Sequence, residues 1–203
     1  MFGAVNLAIA TGLALLLPTP AASAGTIEGT AGDDHLVGTP FSDLIDAHGG
    51  DDDLFARGGS DEAFGGGGDD VIRLGRGRFD SADGGRGHDI IIGGRGRDSI
   101  NDGVTTEVEP GQGPDEFYGG LGADRFAAAT GADKVFGGPG IDRVSVWPDG
   151  RSDQIWCGPG IDSVTWIRRR GVHDRAIGCE RQSVFDPSAR GRARGERSVN
   201  PQA

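Results

Sequence analysis

Large apolar residues recur at every ninth position along most of the chain, separated by glycine and polar residues. Written from Gly29 in nine-residue units, the eighth position is Leu, Ile, Val or Phe in twelve of fourteen units. Ala63 and Ala82 are the two exceptions. The last three positions of a unit therefore predict a short strand whose middle side chain points inward. Repetition with a fixed short period predicts a stacked repeat architecture rather than an ordinary globular domain.

The units keep their register across three irregularities. Phe79 lengthens the sixth unit by one residue, residues 102–109 interrupt the series, and Val146 and Trp147 form a two-residue insertion. Residues 102–109 are either a degenerate repeat or a bulge outside the roll. The units are 29–37, 38–46, 47–55, 56–64, 65–73, 74–83, 84–92, 93–101, 110–118, 119–127, 128–136, 137–145, 148–156 and 157–165.

The first six positions of each unit form a glycine-rich turn that ends on aspartate. Position four is Gly in all units except those with Phe41 and Arg151. Only glycine adopts a positive φ cheaply, so these segments predict tight turns. Position six is Asp in every unit, and these are the predicted metal ligands: Asp34, Asp43, Asp52, Asp61, Asp70, Asp80, Asp89, Asp98, Asp115, Asp124, Asp133, Asp142, Asp153 and Asp162.

Two units make one coil of eighteen residues, so consecutive units lie on opposite sides and each unit stacks on the next but one. Seven coils at a strand spacing of ~4.8 Å would rise about 33 Å. The position-six carboxylates then form a column along each edge. The inward residues form a thin apolar ladder: Leu36, Ile45, Leu54, Ile72, Ile91, Ile100, Phe117, Phe126, Val135, Val144, Ile155 and Val164.

Charge determines what these columns must hold. Residues 25–165 contain 27 acidic and 11 basic residues. Like charges ~5 Å apart repel by a few kcal/mol per pair, so a cation is expected between the turns. Carboxylates and turn carbonyls give an all-oxygen shell that suits Ca²⁺ better than Mg²⁺, which demands octahedral geometry. Zinc and copper prefer His or Cys, which do not recur in the units.

The pattern G-G-x-G-x-D-x-U-x, clear in 65–73, 93–101 and 119–127, resembles the hemolysin-type calcium-binding repeats, the RTX nonapeptides, of the type that actinobacteria secrete. The resemblance implies an all-β parallel β-roll, a right-handed β-solenoid of about fourteen repeats. It further implies that position-six carboxylates bind Ca²⁺ between units i and i+2, together with turn carbonyls. The clearest same-side pairs are Asp70–Asp89, Asp80–Asp98, Asp115–Asp133 and Asp124–Asp142.

Residues 1–24 are predicted to be a signal peptide, which places the protein outside the cell. An apolar run from Phe2 to Leu17 leads to Ala22-Ser23-Ala24, a signal-peptidase pattern. No Lys or Arg precedes this run, and a single membrane anchor is the alternative interpretation. The mature chain from Gly25 carries no expected membrane span.

The chain after the last unit has a different character. Cys157 and Cys179, the two cysteines, predict one disulfide in a secreted protein. Residues 166–185 are predicted to cap the open end of the apolar ladder. Residues 186–203, with four arginines among Gly, Ser and Pro, predict a disordered basic tail. Contact of this tail with an anionic cell-wall polymer is a further hypothesis.

Composition and motifs exclude several classes of protein. With 39 glycines and a net charge of -11, the chain is neither helical nor a nucleic-acid binder, which would need a basic patch. No H-E-x-x-H or G-x-S-x-G motif is present, so no enzyme is predicted. The resulting hypothesis is a secreted Ca²⁺-binding protein that folds on binding. The alternatives are an adhesin, matrix or spacer protein and a non-catalytic accessory module of a secreted enzyme.

Overall fold

The computed structural model describes residues 24–103, 113–147, 149–168 and 173–186, and within them it contains strands and no helix. Most strands begin directly after a position-six aspartate and include the apolar eighth position. The strands are β1 (Thr26–Glu28), β2 (His35–Val37), β3 (Leu44–Asp46), β4 (Asp53–Phe55), β5 (Gly58–Gly59), β6 (Glu62–Gly67), β7 (Val71–Gly77), β8 (Ser81–Arg86), β9 (Ile90–Gly96), β10 (Ser99–Asn101), β11 (Glu116–Gly122), β12 (Arg125–Ala128), β13 (Lys134–Phe136), β14 (Arg143–Val146), β15 (Gln154–Trp156), β16 (Ser163–Ile167), β17 (Arg175–Ile177) and β18 (Arg181–Phe185).

The strands form two parallel sheets that face each other, which confirms the predicted all-β parallel β-roll. Sheet one has the order β1-β3-β6-β8-β10-β12-β14-β16-β18, and sheet two has the order β17-β15-β13-β11-β9-β7-β4-β2. The short β5 pairs with β7 beside sheet two. Each unit therefore pairs with the next but one, as in the register of Ile72 with Ile91.

The apolar ladder lies between the two sheets. All twelve predicted position-eight residues are buried, and Ala63 and Ala82 occupy the same inward positions. A second buried row comes from position one of the turns, with Ala47, Leu74 and Trp166 among its members. The core is therefore wider than the sequence pattern alone indicated, but it is still only a few residues across. Burying one such aliphatic side chain stabilises the fold by about 1.5–3 kcal/mol.

The roll is longer than the seven coils expected from the units, with about eight turns. At the N-terminal end, β1 pairs with β3 and places Ile27 beside Ile45. At the C-terminal end, β17 and β18 continue the two sheets in parallel register. The described part of residues 166–185 adds strands to the end of the roll, and Ala176 follows the same inward register as Ile155.

The three irregularities of the repeat leave the pairing of the flanking strands intact. Phe79 is half exposed, and the Arg78 guanidinium lies 5.3 Å from the centre of its ring. Val146 pairs with Ala128, so the insertion assigned to Val146 and Trp147 falls in the turn after β14. On either side of residues 102–109, β9 pairs with β11 and β10 pairs with β12. Unit 84–92 therefore stacks directly on unit 110–118.

The predicted disulfide joins Cys157 and Cys179, with Cα atoms 5.3 Å apart. Cys157 is fully buried in the core, and Cys179 packs against it after β17. The bond therefore joins the turn after β17 to the turn after β15, which are neighbours along sheet two. Closing a loop of this length stabilises the folded chain by on the order of 3 kcal/mol, chiefly through the entropy of the unfolded state.

Four predicted segments lie wholly or partly outside the described residues. These are the signal peptide, apart from Ala24, the interruption after Gly103, residues 169–172 of the predicted cap, and the basic tail beyond Asp186. Within the described residues, no helix of sufficient length and apolar character to span a membrane is found.

Candidate metal sites along the turns

The position-six carboxylates form two columns, one along each edge of the roll. The backbone N–H of each residue donates to a carboxylate oxygen of the next acid in its column, Oδ1 of an aspartate or Oε2 of Glu180, over 2.7–3.3 Å. Column one is Asp34, Asp52, Asp70, Asp89, Asp115, Asp133, Asp153 and Asp174. Column two is Asp43, Asp61, Asp80, Asp98, Asp124, Asp142, Asp162 and Glu180. All four same-side pairs from the sequence are neighbours in these columns.

The second carboxylate oxygen has no hydrogen-bond partner in most of these residues. Leaving a buried polar atom without a partner costs about 1–3 kcal/mol, and more when it is charged. Ten such unpartnered oxygens in one domain far exceed the few found in ordinary proteins, and they indicate a site for cations. The buried Oδ2 atoms belong to Asp52, Asp61, Asp70, Asp80, Asp89, Asp98, Asp115, Asp124, Asp142 and Asp162.

The turns bring further oxygen atoms close to these carboxylates. At position one, a Cβ on Gly65 would lie 2.2 Å from Oδ2 of Asp70. The same Cβ would lie 2.6 Å from the carbonyl oxygen of Gly84 in the next turn. Only glycine fits so near both oxygens. Carboxylate and carbonyl oxygens therefore line narrow spaces between successive turns, which is the donor set that Ca²⁺ prefers.

Burial raises the pKa of most column aspartates, several of them far above the usual aspartate range. The pKa of Asp70 rises to about 7 through burial, and the carboxylates of Asp89 and Asp52 raise it further. For Asp115 the same causes raise the pKa to about 9. The values are about 6 for Asp61, Asp89 and Asp142, and about 7 for Asp98, Asp133 and Asp153. Without a cation, the folded chain therefore disfavours the charged form of these groups.

The raised pKa values of the buried carboxyls predict how the stability of the metal-free chain responds to pH. Since the folded-state pKa exceeds the unfolded value of about 3.8, the folded state binds protons more tightly, and its stability falls as pH rises from about 4 through about 7. In metal-depleted buffer, far-UV circular dichroism should show more β-structure at pH 4.5 than at pH 8. Less β-structure at pH 4.5 than at pH 8 would contradict this prediction. With Ca²⁺ bound, the trend should reverse because protons compete with the ion.

The two N-terminal carboxylates have different surroundings. The backbone N–H of Thr30 and its hydroxyl both donate to Oδ2 of Asp34, at 2.5 and 2.9 Å. The backbone N–H of Thr39 donates to Oδ2 of Asp43 at 2.5 Å, and the Thr39 hydroxyl donates to Oδ1 of the same carboxylate at 3.1 Å. Both units have Thr at position two, where the repeat pattern has Gly, and this is the feature of the sequence that distinguishes them. These carboxylates already have protein partners, so they are weaker candidate ligands than the ten with unpartnered oxygens.

Two column members were missed in the sequence because their units are imperfect. Asp174 precedes Arg175 and Ala176, a D-x-U triplet with a small apolar residue, and it accepts from the N–H of Asp153 at 3.3 Å. Glu180 replaces Asp before β18 and accepts from the N–H of Asp162 at 2.8 Å. The regular nine-residue units end at Thr165, and beyond it the glycine spacing no longer marks a unit.

The fold and the carboxylate columns define a metal-binding β-solenoid. The family model for the RTX calcium-binding nonapeptide repeat matches four segments that together cover more than half of the chain, at residues 28–63, 54–78, 64–100 and 110–144. The chain belongs to this family, and its repeats are calcium-binding repeats. Neither a curated protein nor a solved structure matches the chain.

Proposed function

We propose that this protein is a secreted calcium-binding protein in which Ca²⁺ binds between successive turns along both edges of the roll. The observation that carries this proposal is the set of ten buried Oδ2 atoms without a hydrogen-bond partner. The proposed ligands are the position-six aspartates of columns one and two, together with carbonyl oxygens of the adjacent turns. Asp34 and Asp43 take part least, because threonine already satisfies them.

The donor set favours calcium over other common cations. Ca²⁺ accepts six to eight oxygen ligands in flexible geometry, whereas Mg²⁺ demands a near-ideal octahedron and retains water. Neither His nor Cys occurs in the two columns, which disfavours zinc and copper. Calcium also removes the cost of placing carboxylates in rows, since each ion supplies two positive charges to two neighbouring acids.

Calcium binding is proposed to be coupled to folding. The apolar core is a narrow double row, and residues 25–165 carry sixteen more acids than bases. A chain of this composition buries too little apolar surface to offset its conformational entropy. When a site exists only in the folded state, the free energy of metal binding becomes free energy of folding.

Export from the cell is supported by two features. The Cys157–Cys179 disulfide suits an oxidising compartment, and the N-terminal apolar segment ends on a signal-peptidase pattern. Extracellular calcium would then saturate sites of modest affinity. N-terminal sequencing of protein from a culture supernatant would locate the predicted cleavage before Gly25.

A binding role is proposed in preference to a catalytic one. Acid–base catalysis by two carboxyls requires environments that push their pKa values apart. Here burial is the first cause of the raised pKa all along both columns. A row of carboxyls that share this cause suits a row of bound ions rather than one reaction centre.

Equilibrium binding of Ca²⁺ to the chain in 0.15 M salt tests this function. Several ions should bind per chain, and equimolar Mg²⁺ should not displace them. Asp70→Asn should reduce the number of bound ions, since Asp70 accepts from the N–H of Asp52 and donates its own N–H to Asp89. Glu62→Gln, an exposed acid on β6, is the control and should bind as the wild type. Equal loss in both variants would mean nonspecific binding to a polyanion and would contradict the proposal.

A further inference from the structure

An additional carboxylate joins column one at the start of the interruption in the repeats, residues 102–109. Asp102 follows β10 directly and is fully buried. One oxygen each from Asp102, Asp115 and Asp133 lie within 4.8 Å of one another, and among the described residues this is the one acidic triad so close. Asp102 lies between the two matched segments 64–100 and 110–144, so the nonapeptide pattern does not account for it.

The position of Asp102 in the turn explains why its carboxylate reaches this column. The register of Asn101 with Ala127 places Asp102 level with Ala128, at the inward position one. In regular turns this position faces the position-six carboxylate of the same turn, as Gly65 faces Asp70. Position one is Gly, Ala, Leu or another apolar residue elsewhere. In the segment between β10 and β11, which ends at Asp115, the acid Asp102 takes the place of this small or apolar residue.

Backbone contacts hold the Asp102 side chain between two turns. The N–H groups of Ala129 and Thr130 donate to its Oδ2, at 2.6 and 3.2 Å. These two residues begin the turn that ends at Asp133. Independently, Oδ2 of Asp115 is buried within the same group and has no hydrogen-bond partner. The triad therefore brings three buried carboxyl groups within 4.8 Å of one another.

We propose that Asp102, Asp115 and Asp133 together hold one calcium ion, in a site with one carboxylate more than the paired sites elsewhere in the columns. The inference rests on the proposed calcium-binding function and goes beyond the repeat pattern. Calcium–oxygen distances of 2.3–2.6 Å allow ligands on opposite sides of an ion to be about 4.6–5.2 Å apart, which accommodates the 4.8 Å triad. Affinity in oxygen sites increases with the number of charged ligands, so this is the tightest site of the roll.

The test is Asp102→Asn in the otherwise unchanged chain. Asparagine retains an oxygen for the N–H groups of Ala129 and Thr130 but removes the charge. Native mass spectrometry should count one ion fewer at low free Ca²⁺, and competition with a chelating dye should show the tightest affinity weakened on the order of tenfold. Asp102→Glu should retain the ion, Glu62→Gln is the surface control, and Asp124→Asn in column two should lose a weaker ion.

The outcomes separate this inference from the proposed function. If Asp124→Asn loses an ion while Asp102→Asn matches Glu62→Gln, the roll binds calcium but the triad site is wrong. If the wild-type chain binds no Ca²⁺, both fail. An unchanged ion count with a more stable metal-free Asp102→Asn would mean that the triad shares a proton, which also overturns the site.

A measurement on the wild-type chain avoids any effect of substitution on folding. Terbium luminescence lifetimes in H₂O and D₂O count the waters on a bound ion. The first equivalent of Tb³⁺ should retain fewer waters than later equivalents, because the triad supplies an extra protein ligand. Equal hydration of early and late equivalents would overturn the proposal.

Discussion

In metal-depleted buffer at neutral pH, the chain is expected to give the circular dichroism spectrum of an unfolded polypeptide. Addition of Ca²⁺ should convert it to a β-sheet spectrum in one cooperative transition, and Mg²⁺ at the same concentration should not. This is the largest expected effect, because it concerns the whole roll. Far-UV circular dichroism during separate Ca²⁺ and Mg²⁺ titrations after chelation is the measurement.

The physical reason is the balance between a narrow core and two rows of buried charge. Ten buried carboxylate oxygens lack partners, and burial together with like-charged neighbours raises the pKa of groups such as Asp98 and Asp115. At neutral pH, ionising these groups in the folded chain opposes folding. Calcium that binds only the folded state stabilises it by mass action, and the effect grows with ion concentration.

A chain that is already β-structured in chelator and does not respond to Ca²⁺ would contradict coupled folding. The apolar ladder would then fold unaided, and the roll would act as a structural spacer. Repeating the titration with the disulfide reduced serves as a control. The calcium requirement should persist, with a higher midpoint, because the disulfide closes only the C-terminal turns.

The second large effect is expected from Gly68→Ala. Gly68 has φ +131°, and a Cβ there would lie 2.1 Å from the carbonyl oxygen of Gly50. An L-residue in this backbone region costs about 1–3 kcal/mol, and forcing an atom into a packed site costs a similar amount. Together these predict a loss of about 4 kcal/mol in the free energy of unfolding of the calcium-loaded chain, measured by denaturant titration.

The adjacent Gly67→Ala is the matched control. No atom lies within 4 Å of a Cβ at Gly67, and its φ is outside the positive range. It should change stability by less than about 1 kcal/mol. Similar losses in the two variants would mean that the contact between successive turns is not what requires glycine. A calcium midpoint raised only in Gly68→Ala would link that contact to ion binding.

Much of the fold could be predicted because each unit repeats the same short sequence pattern. Asp at position six and an apolar residue at position eight recur with fixed spacing, so the stacking of unit i on unit i+2 follows from the period alone. Ile72 beside Ile91 and the hydrogen bond from Asp70 to Asp89 are examples. Prediction was weaker where the period fails. Val146 was counted in an insertion, whereas it pairs with Ala128 at the end of β14, and the spacing did not show that β17 and β18 continue both sheets.

The candidate site was predictable in its composition but not in its details. The sequence contains the row of position-six carboxylates and their all-oxygen surroundings. It does not show that Thr30 already satisfies Asp34, that Glu180 completes column two, or that Asp102 points into column one. Each of these depends on which turn lies above or below, and that relation spans eighteen or more residues of chain.

By itself, therefore, the sequence determined the period, the two-sided roll, the carboxylate columns and the preference for calcium. These follow from side-chain chemistry repeated at nine-residue intervals. Only the tertiary structure decided which oxygens are buried without partners, that Val146 belongs to a strand, and that Asp102 lies beside Asp115 and Asp133. Burial and contact between stacked turns depend on distances across the roll, and the local sequence of one unit does not contain them.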